Sequence, residues 1–323
     1  MRAMKARAFG GYQDLLLVDV PRPAKVEGRL LLKIIAAGVT PLEHTILSGQ
    51  YPKASAPLIL GSEGSAIVEE SDDAHFPVGT RVMFAGVYGV RESGAYAEYL
   101  YARPEDLRAI PDNVDSVAAA GLPVAYLTAQ LALLHAGFKP GKTVLSPAIG
   151  GAVGNAVTQL ARAQGAKHAI STTTSHAKAL KAAELGFEEI IDLSEEGIAE
   201  GVKRITSGYG ADVVIDAIGG QILAEAISAL AMNGHVTTLG YSAGRKSTID
   251  VTDLIWKRAS MGTFALFAHP PEAWAAAWDV ITPLLEAGKI VPIAAKQFPL
   301  EQAAEALRFL IEERPFGRVL LTT

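Results

Sequence analysis

The sequence contains no cysteine among its 323 residues. This absence excludes a disulfide framework, a cysteine-ligated structural zinc, an iron–sulfur cluster and a thiol nucleophile. Any metal site would have to be built from carboxylates and the seven histidines.

Long apolar runs and an excess of basic residues are missing as well. No stretch approaches the ~20 apolar residues of a membrane-spanning helix, and the N-terminal sequence MRAMKARAFGGYQ lacks the apolar run of a signal peptide. The 29 Lys and Arg are outnumbered by 34 Asp and Glu, and the net charge of -5 disfavours nucleic-acid binding. We therefore expect a cytoplasmic protein that binds a small molecule rather than nucleic acid or a membrane, with a length sufficient for about two domains.

The spacing of apolar runs changes along the chain. Up to about residue 120, short runs such as those at 15–20 and 30–35 are broken by Pro and Gly, which predicts a mostly antiparallel strand body. Beyond that point strand-like and helical segments alternate, which predicts βαβ crossovers and a parallel sheet. The predicted segments are strands at 143–148, 168–172, 188–193, 211–220 and 235–240, helices at 155–165, 176–186 and 221–234, then helices at 272–287 and 300–311 and a final strand at 317–321.

A glycine-containing loop lies between the first of these strands and its helix. In VLSPAIGGAVGNAVTQLARAQGA the small residues Ala148, Gly151 and Gly154 recur at a spacing of three, whereas Ile149 stands where G-x-G-x-x-G would have glycine. Small residues here allow a tight turn and a close approach of a pyrophosphate to the backbone and to the positive helix N-terminus. The loop, with Ala152 and Val153 inside it, therefore predicts a dinucleotide site in a doubly wound α/β domain.

The end of the next strand indicates which dinucleotide would bind. NAD sites usually place an acidic residue about 20 residues after the glycines, to bind the ribose 2′-hydroxyl. Residues 171–178 contain no acid but offer the hydroxyls of Thr173 and Ser175 and the ammonium of Lys178. These groups would accept a 2′-phosphate, so we predict NADPH as the cofactor.

Motifs spread over nearly the whole chain resemble one enzyme family. They are AAGVTPLEHTILSGQYP at 36–52, LGSEGSAIVE at 60–69, VGTRVMF at 78–84, GAYAEYL at 94–100, LPVAYLTAQLAL at 122–133, ADVVIDAIGG at 211–220 and FPLEQAAEAL at 298–307. The chain resembles the medium-chain dehydrogenase/reductase superfamily, specifically its zinc-independent quinone oxidoreductase and enone reductase branch. The resemblance implies a GroES-like β-barrel catalytic domain built from residues 1–121 and 259–323, a Rossmann-type NADPH-binding domain at 122–258, and a homodimer joined through edge strands near 235–264.

The departures from the zinc-dependent relatives are informative. Those relatives have Cys where this chain has Thr40, a His-Glu pair where it has Ser62 and Glu63, and a four-cysteine lobe that it lacks. A catalytic zinc needs about three protein ligands, which Glu63 alone cannot supply. We therefore predict that the protein has no metal and transfers a hydride without one.

The resemblance also implies roles for individual residues. Thr40 stands where this branch usually has Asn in the turn that reaches the nicotinamide, and Pro41 follows it. Tyr51 matches a tyrosine that borders the nicotinamide, so Tyr51 and Thr40 are the predicted catalytic hydrogen-bonding groups. Further cofactor contacts are implied for Thr128, Ile218, Gly219, Gly240, Tyr241, Ser242, Phe264, Leu266 and Arg318, the last of these near the cofactor phosphates.

These observations predict an NADPH-dependent reductase of quinones or of α,β-unsaturated carbonyl compounds. Such acceptors delocalise incoming charge onto oxygen, so a hydrogen-bond donor can suffice. Two alternatives remain open from the sequence: an enoyl-thioester reductase of the same branch, and a non-enzymatic NADPH-binding protein. A short-chain reductase is excluded because the sequence contains no Y-x-x-x-K pair.

Overall fold

The computed structural model describes residues 1–52 and 54–323 and divides them into two units. Unit 1 contains Met1–Val124, Pro270–Glu286 and Val291–Thr323, and unit 2 contains Ala125–His269 and Ala287–Ile290. The predicted two-domain α/β fold is confirmed, with both chain ends in one unit and a parallel-sheet unit between them along the chain.

Unit 1 is built mainly of antiparallel strands. Its strands are β1 (Arg2–Ala6), β2 (Leu15–Asp19), β3 (Leu30–Val39), β4 (Leu58–Ile59), β5 (Glu63–Glu70), β6 (Arg81–Ala85), β7 (Tyr99–Ala102) and β8 (Leu107–Ala109), with β15 (Ala294–Pro299) and β16 (Arg318–Thr322) from the C-terminal part. Its helices are α1 (Pro41–Leu47), α2 (Ser116–Ala119), α9 (Pro271–Glu286) and α10 (Ala303–Glu312).

The strand register of unit 1 gathers three strand ends at one place. The larger sheet has the order β15-β16-β3-β5-β6-β8, and β1 pairs with β2 and β4 in a smaller sheet. Val39 on β3 pairs with Val319 on β16, and Ala37 on β3 pairs with Gly64 on β5. The residue that follows β3, the first residue of β5 and the first residue of β16 therefore lie close together.

Unit 2 is a doubly wound parallel sheet. Its elements after α3 (Pro123–His135) are β9 (Thr143–Ser146), α4 (Ala152–Ala163), β10 (His168–Thr173), α5 (His176–Glu184), β11 (Ile190–Asp192), α6 (Ile198–Ile205), β12 (Ala211–Asp216), α7 (Gly220–Ser228), β13 (Leu230–Thr238), α8 (Val251–Lys257) and β14 (Ser260–Thr263). The strand order is β11-β10-β9-β12-β13-β14, with every pairing parallel. Leu145, Ile170, Val214 and Val236 form the centre of its core. All carboxyl ends of these strands lie at one edge of the sheet, where such folds bind ligands.

The sequence-based limits of one helix and one domain differ clearly from those in the structure. The helix predicted at 221–234 ends at Ser228, because the residues from Leu230 onward pair with β12 instead of continuing the helix. The domain predicted to end at residue 258 extends to His269, because β14 adds a strand beside β13. In both cases strand pairing overrides local helix propensity or the apparent end of the repeating pattern.

Among the described residues, no helix combines the length and the apolar character needed to cross a membrane.

Candidate active site

The glycine loop of unit 2 connects the end of β9 to the start of α4. The Ala148 amide donates to Thr172 Oγ1 at 3.1 Å, and the Ile149 amide donates to the Thr172 carbonyl oxygen at 2.9 Å. A Cβ atom on Gly154 would overlap the carbonyl oxygens of Pro147 and Ala148. The loop is therefore held against β10, and only glycine fits at position 154.

The first turn of α4 directly follows the glycine loop. Gly151 is the N-cap residue, and no side-chain cap is present within the described residues. The unpaired amides of a first helical turn bind anions, and the helix dipole favours negative charge there. These residues could hold the pyrophosphate of a dinucleotide.

Asp216 joins two further loops at the same edge of the sheet. Its carboxylate accepts hydrogen bonds from the amides of Ile218 (3.0 Å) and Gly219 (3.1 Å) and from Thr238 Oγ1 (2.9 Å). Burial raises the pKa of Asp216, and these hydrogen bonds act to lower it. The Ala243 amide donates to the Ile218 carbonyl oxygen at 2.8 Å, so the loops that follow β12 and β13 lie side by side. The predicted residues Ile218, Gly219, Gly240, Tyr241 and Ser242 are thereby brought together.

Phe264, Leu266 and Thr128 belong to unit 2. The Phe264 amide, directly after β14, donates to the Thr238 carbonyl oxygen at 3.1 Å, and Leu266 begins a short 3-10 helix. Phe264 therefore follows the carboxyl end of another parallel strand of unit 2, whereas the sequence predicted that the catalytic domain resumes at residue 259 and includes it. Thr128 is buried on α3.

A buried carboxylate network occupies the end of β3 in unit 1. Glu43 Oε2 accepts from the Thr40 amide (2.8 Å) and Thr40 Oγ1 (2.5 Å), and Glu43 Oε1 accepts from the Ser62 amide (3.1 Å) and Ser62 Oγ (2.9 Å). Burial raises the pKa of Glu43, whereas the hydrogen bonds from Thr40 and Ser62 act to lower it. Thr40 Oγ1 also accepts from the Leu42 amide at 3.2 Å, which completes the capping box of α1.

A buried ion pair lies beside this network. Arg318 Nη2 donates to Glu63 Oε1, and Glu63 Oε2 accepts from the Val124 amide at 2.7 Å. Burial raises the pKa of Glu63 to about 7, although the charge of Arg318 acts to lower it. A Cβ atom on Gly38 would overlap the Glu63 carboxylate, and a Cβ atom on Gly121 would lie only 3.0 Å from Arg318 Nε, so the lack of a side chain at both positions leaves room for the pair. The structure thus gives Arg318, only 9% exposed, a carboxylate partner in place of the cofactor phosphate that the sequence predicted.

Tyr51 follows α1 and packs half-buried against the core of unit 1. Within the part of the chain that the structure describes, its hydroxyl makes no hydrogen bond, so it can donate one to a ligand. Pro41 is the exposed first residue of α1.

Comparison with known proteins identifies the family. Residues 152–282 match the family model described as zinc-binding dehydrogenase, and residues 26–112 match the alcohol dehydrogenase GroES-like domain. Human quinone oxidoreductase is 30% identical over 313 residues, which cover 95% of this chain and 92% of the relative. The chain belongs to the medium-chain dehydrogenase/reductase superfamily, in its quinone oxidoreductase branch.

Solved structures of similar proteins match this chain over its whole length. A structure described as an NAD-dependent alcohol dehydrogenase has a TM-score of 0.89 at 29% identity, with 100% of both chains covered. A mycobacterial protein in complex with NADPH has the same TM-score, identity and coverage.

One acidic residue lies beside the segment predicted to bind the 2′-phosphate, and the sequence analysis did not predict it. Asp192, on β11, pairs in register with Thr173 and accepts from Ser194 Oγ at 2.6 Å, and it lies 3.2 Å from His176 Nδ1. The hydrogen bonds from Ser194 lower the pKa of Asp192. Sequence reasoning missed it because it lies on the neighbouring strand, outside residues 171–178. Lys178 lies in the first turn of α5, after the N-cap residue Ser175.

Glu43 was also missed, although the sequence contains a signal for it. T-P-L-E at 40–43 is the capping-box pattern, which directs the glutamate back toward the threonine. What the pattern does not show is the second bond, from Ser62 on another strand. Thr40 was predicted to bind substrate; in the structure its hydroxyl hydrogen is directed at Glu43.

Proposed function

We propose that this protein is a zinc-independent, NADPH-dependent oxidoreductase that transfers a hydride to a quinone or to an α,β-unsaturated carbonyl compound. The main supporting observation is the Thr40–Glu43–Ser62 network, which stands where zinc-dependent relatives have metal ligands. The name of the human relative supports the acceptor class, and the NADPH-bound mycobacterial structure supports the cofactor.

The residues at the zinc positions do not fit a catalytic zinc. Thr40 and Ser62 donate their hydroxyl hydrogens to Glu43, and the two oxygens of Glu63 accept from Arg318 and from the Val124 amide. Because zinc sites in proteins use imidazole, thiolate or available carboxylate ligands, the proposed reaction includes no metal-dependent step.

The carboxyl edge of unit 2 would hold NADPH. The α4 N-terminus, with Gly151, Ala152, Val153 and Gly154, would bind the pyrophosphate. Thr173, Ser175 and Lys178 would bind the 2′-phosphate. The remaining contacts would come from Thr128, Ala148, Ile218, Gly219, Gly240, Tyr241, Ser242, Phe264 and Leu266. When bound, the nicotinamide supplies the hydride.

Tyr51 would stabilise the charge that develops on the acceptor oxygen. Its hydroxyl has no other hydrogen-bond partner among the described residues, so donation to an oxyanion requires no rearrangement of a competing bond. A homodimer joined through the exposed edge strand β14 stays a prediction, which the molar mass in solution would check.

Oxidation of NADPH in the presence of a panel of acceptors tests the proposal. Steady-state assays with quinones, enones and enoyl thioesters should show turnover of the first two classes. Turnover of thioesters alone would instead support an enoyl-thioester reductase. Binding of NADPH without turnover of any acceptor would support a non-enzymatic role.

Replacing Lys178 by glutamate tests the cofactor preference. We expect the KM for NADPH to rise at least about tenfold, because a carboxylate would repel the 2′-phosphate, while the KM for NADH changes by less than about threefold. Lys181→Glu, one turn further along α5, makes the same charge change and should have a much smaller effect. Equal effects of Lys178→Glu on both cofactors would remove Lys178 from the cofactor site.

A further inference from the structure

The Thr40 hydroxyl cannot donate to a ligand while Glu43 is ionised. Its hydrogen is directed at Glu43 Oε2 at 2.5 Å, and its oxygen already accepts from the Leu42 amide. A hydroxyl has one hydrogen to donate and two lone pairs to accept with. With Glu43 ionised, Thr40 can therefore offer a ligand only its one remaining lone pair.

Protonation of Glu43 reverses the direction of the hydrogen bond between Thr40 and Glu43. A protonated carboxyl would donate from Oε2 to Thr40 Oγ1 along the same contact, and the Thr40 hydrogen would then be free to turn toward a ligand. The other donors stay in place, because the Thr40 and Ser62 amides and the Ser62 hydroxyl all bind the carboxyl group in the present geometry. Glu43 is 1% exposed, which favours the neutral form of its carboxyl group.

We infer that Glu43 is a positioning residue that stores a proton and passes it through the Thr40 hydroxyl to the oxygen of the reduced acceptor. This inference rests on the proposed function, with Thr40 as the second predicted hydrogen-bonding group at the acceptor oxygen beside Tyr51. When bound, NADPH would supply a hydride to the acceptor carbon, and the acceptor oxygen would then carry a negative charge. The Thr40 O–H bond then breaks as a new O–H bond forms on the acceptor, and the Glu43 proton restores the Thr40 hydroxyl. Glu43 is left ionised, stabilised by the amides of Thr40 and Ser62, until water returns a proton.

Of the neighbouring charged groups, Glu63 favours a proton on Glu43. An ionised Glu63, at the start of β5, repels an ionised Glu43. The Tyr96 hydroxyl has no hydrogen-bond partner among the described residues and so does not compete for the Glu43 oxygens. Arg318 opposes this effect but is paired with Glu63. Elsewhere on α1, the His44 ring packs against the ring of Tyr12. The guanidinium carbon of Arg308, on α10, lies 5.2 Å from the centre of the same Tyr12 ring.

Glu43→Gln, Thr40→Val, Thr40→Ser and the double variant Glu43→Gln/Thr40→Val test the relay. We expect Glu43→Gln and Thr40→Val each to lower kcat about 10- to 100-fold with the KM for NADPH within about twofold, and Thr40→Ser to retain kcat. The kcat of the double variant should be no lower than that of either single variant, because both substitutions interrupt the same proton path. We expect the wild-type kcat to fall at high pH, as Glu43 loses its proton, and we expect this fall to be absent in Glu43→Gln. The surface substitution Glu305→Gln on α10 is the matched control.

Infrared difference spectra provide a readout that does not depend on turnover. The wild-type protein without ligands should show the carbonyl stretch of a protonated buried carboxyl at neutral pH, and Glu43→Gln should lose it while Glu305→Gln keeps it. An unchanged spectrum in Glu43→Gln, or multiplicative effects in the double variant, would overturn the relay while leaving the proposed function intact. A wild-type protein that oxidises NADPH with none of the acceptors would overturn the proposed function and the relay together.

Discussion

Replacing Glu63 by leucine is expected to lower the free energy of unfolding by about 3–5 kcal/mol. The Arg318 guanidinium would stay charged and buried without its carboxylate, and its Nε already has no partner within the described residues. Guanidinium chloride unfolding at pH 8, where Glu63 is ionised in the folded protein, measures the change. Gly38 and Gly121 enclose the pair closely, so the guanidinium has little room to move toward water.

A double variant separates the unpaired charge from the lost packing. Glu63→Leu/Arg318→Met should recover most of the loss, because replacing both members of a buried pair by apolar groups is often nearly neutral. The matched control is Glu69→Leu at the exposed end of the same strand, where Glu69 pairs with Arg22 at 3.0 Å and the change should be small. A double variant as unstable as Glu63→Leu would show that shape, not charge, determines the loss.

Replacing Gly154 by valine is expected to weaken NADPH binding more than about a hundredfold. The new side chain would overlap the carbonyl oxygens of Pro147 and Ala148, so the loop would have to move away from Thr172 and from the α4 N-terminus. Fluorescence titration with NADPH measures the affinity, and circular dichroism shows whether unit 2 remains folded.

Gly197→Val supplies a control for this substitution in the same unit. Gly197 is the N-cap residue of α6 with an extended backbone, and a Cβ atom added there would meet nothing closer than Glu200 Oε2 at 4.0 Å. This variant should bind NADPH like the wild type. If Gly154→Val bound NADPH with unchanged affinity, the glycine loop would not be the pyrophosphate site.

Local sequence patterns were sufficient to predict much of unit 2. The alternation of apolar strands and helices predicted the parallel sheet, and the three-residue spacing of Ala148, Gly151 and Gly154 predicted the loop between β9 and α4. Such signals are readable because a strand, its loop and the next helix are contiguous in sequence. The limits of β13 and β14 were not readable, because they depend on pairing with strands elsewhere in the chain.

The buried polar groups of unit 1 depend instead on contacts between distant parts of the chain. The sequence by itself determined the residue types: no cysteine, and threonine and serine in place of metal ligands. Only the tertiary structure decided their partners, because Glu63 and Arg318 are 255 residues apart in the chain and Glu43 and Ser62 are 19 apart. The register of β3 with β5 and β16 brings them together, and burial then requires each charge and hydroxyl to find a partner.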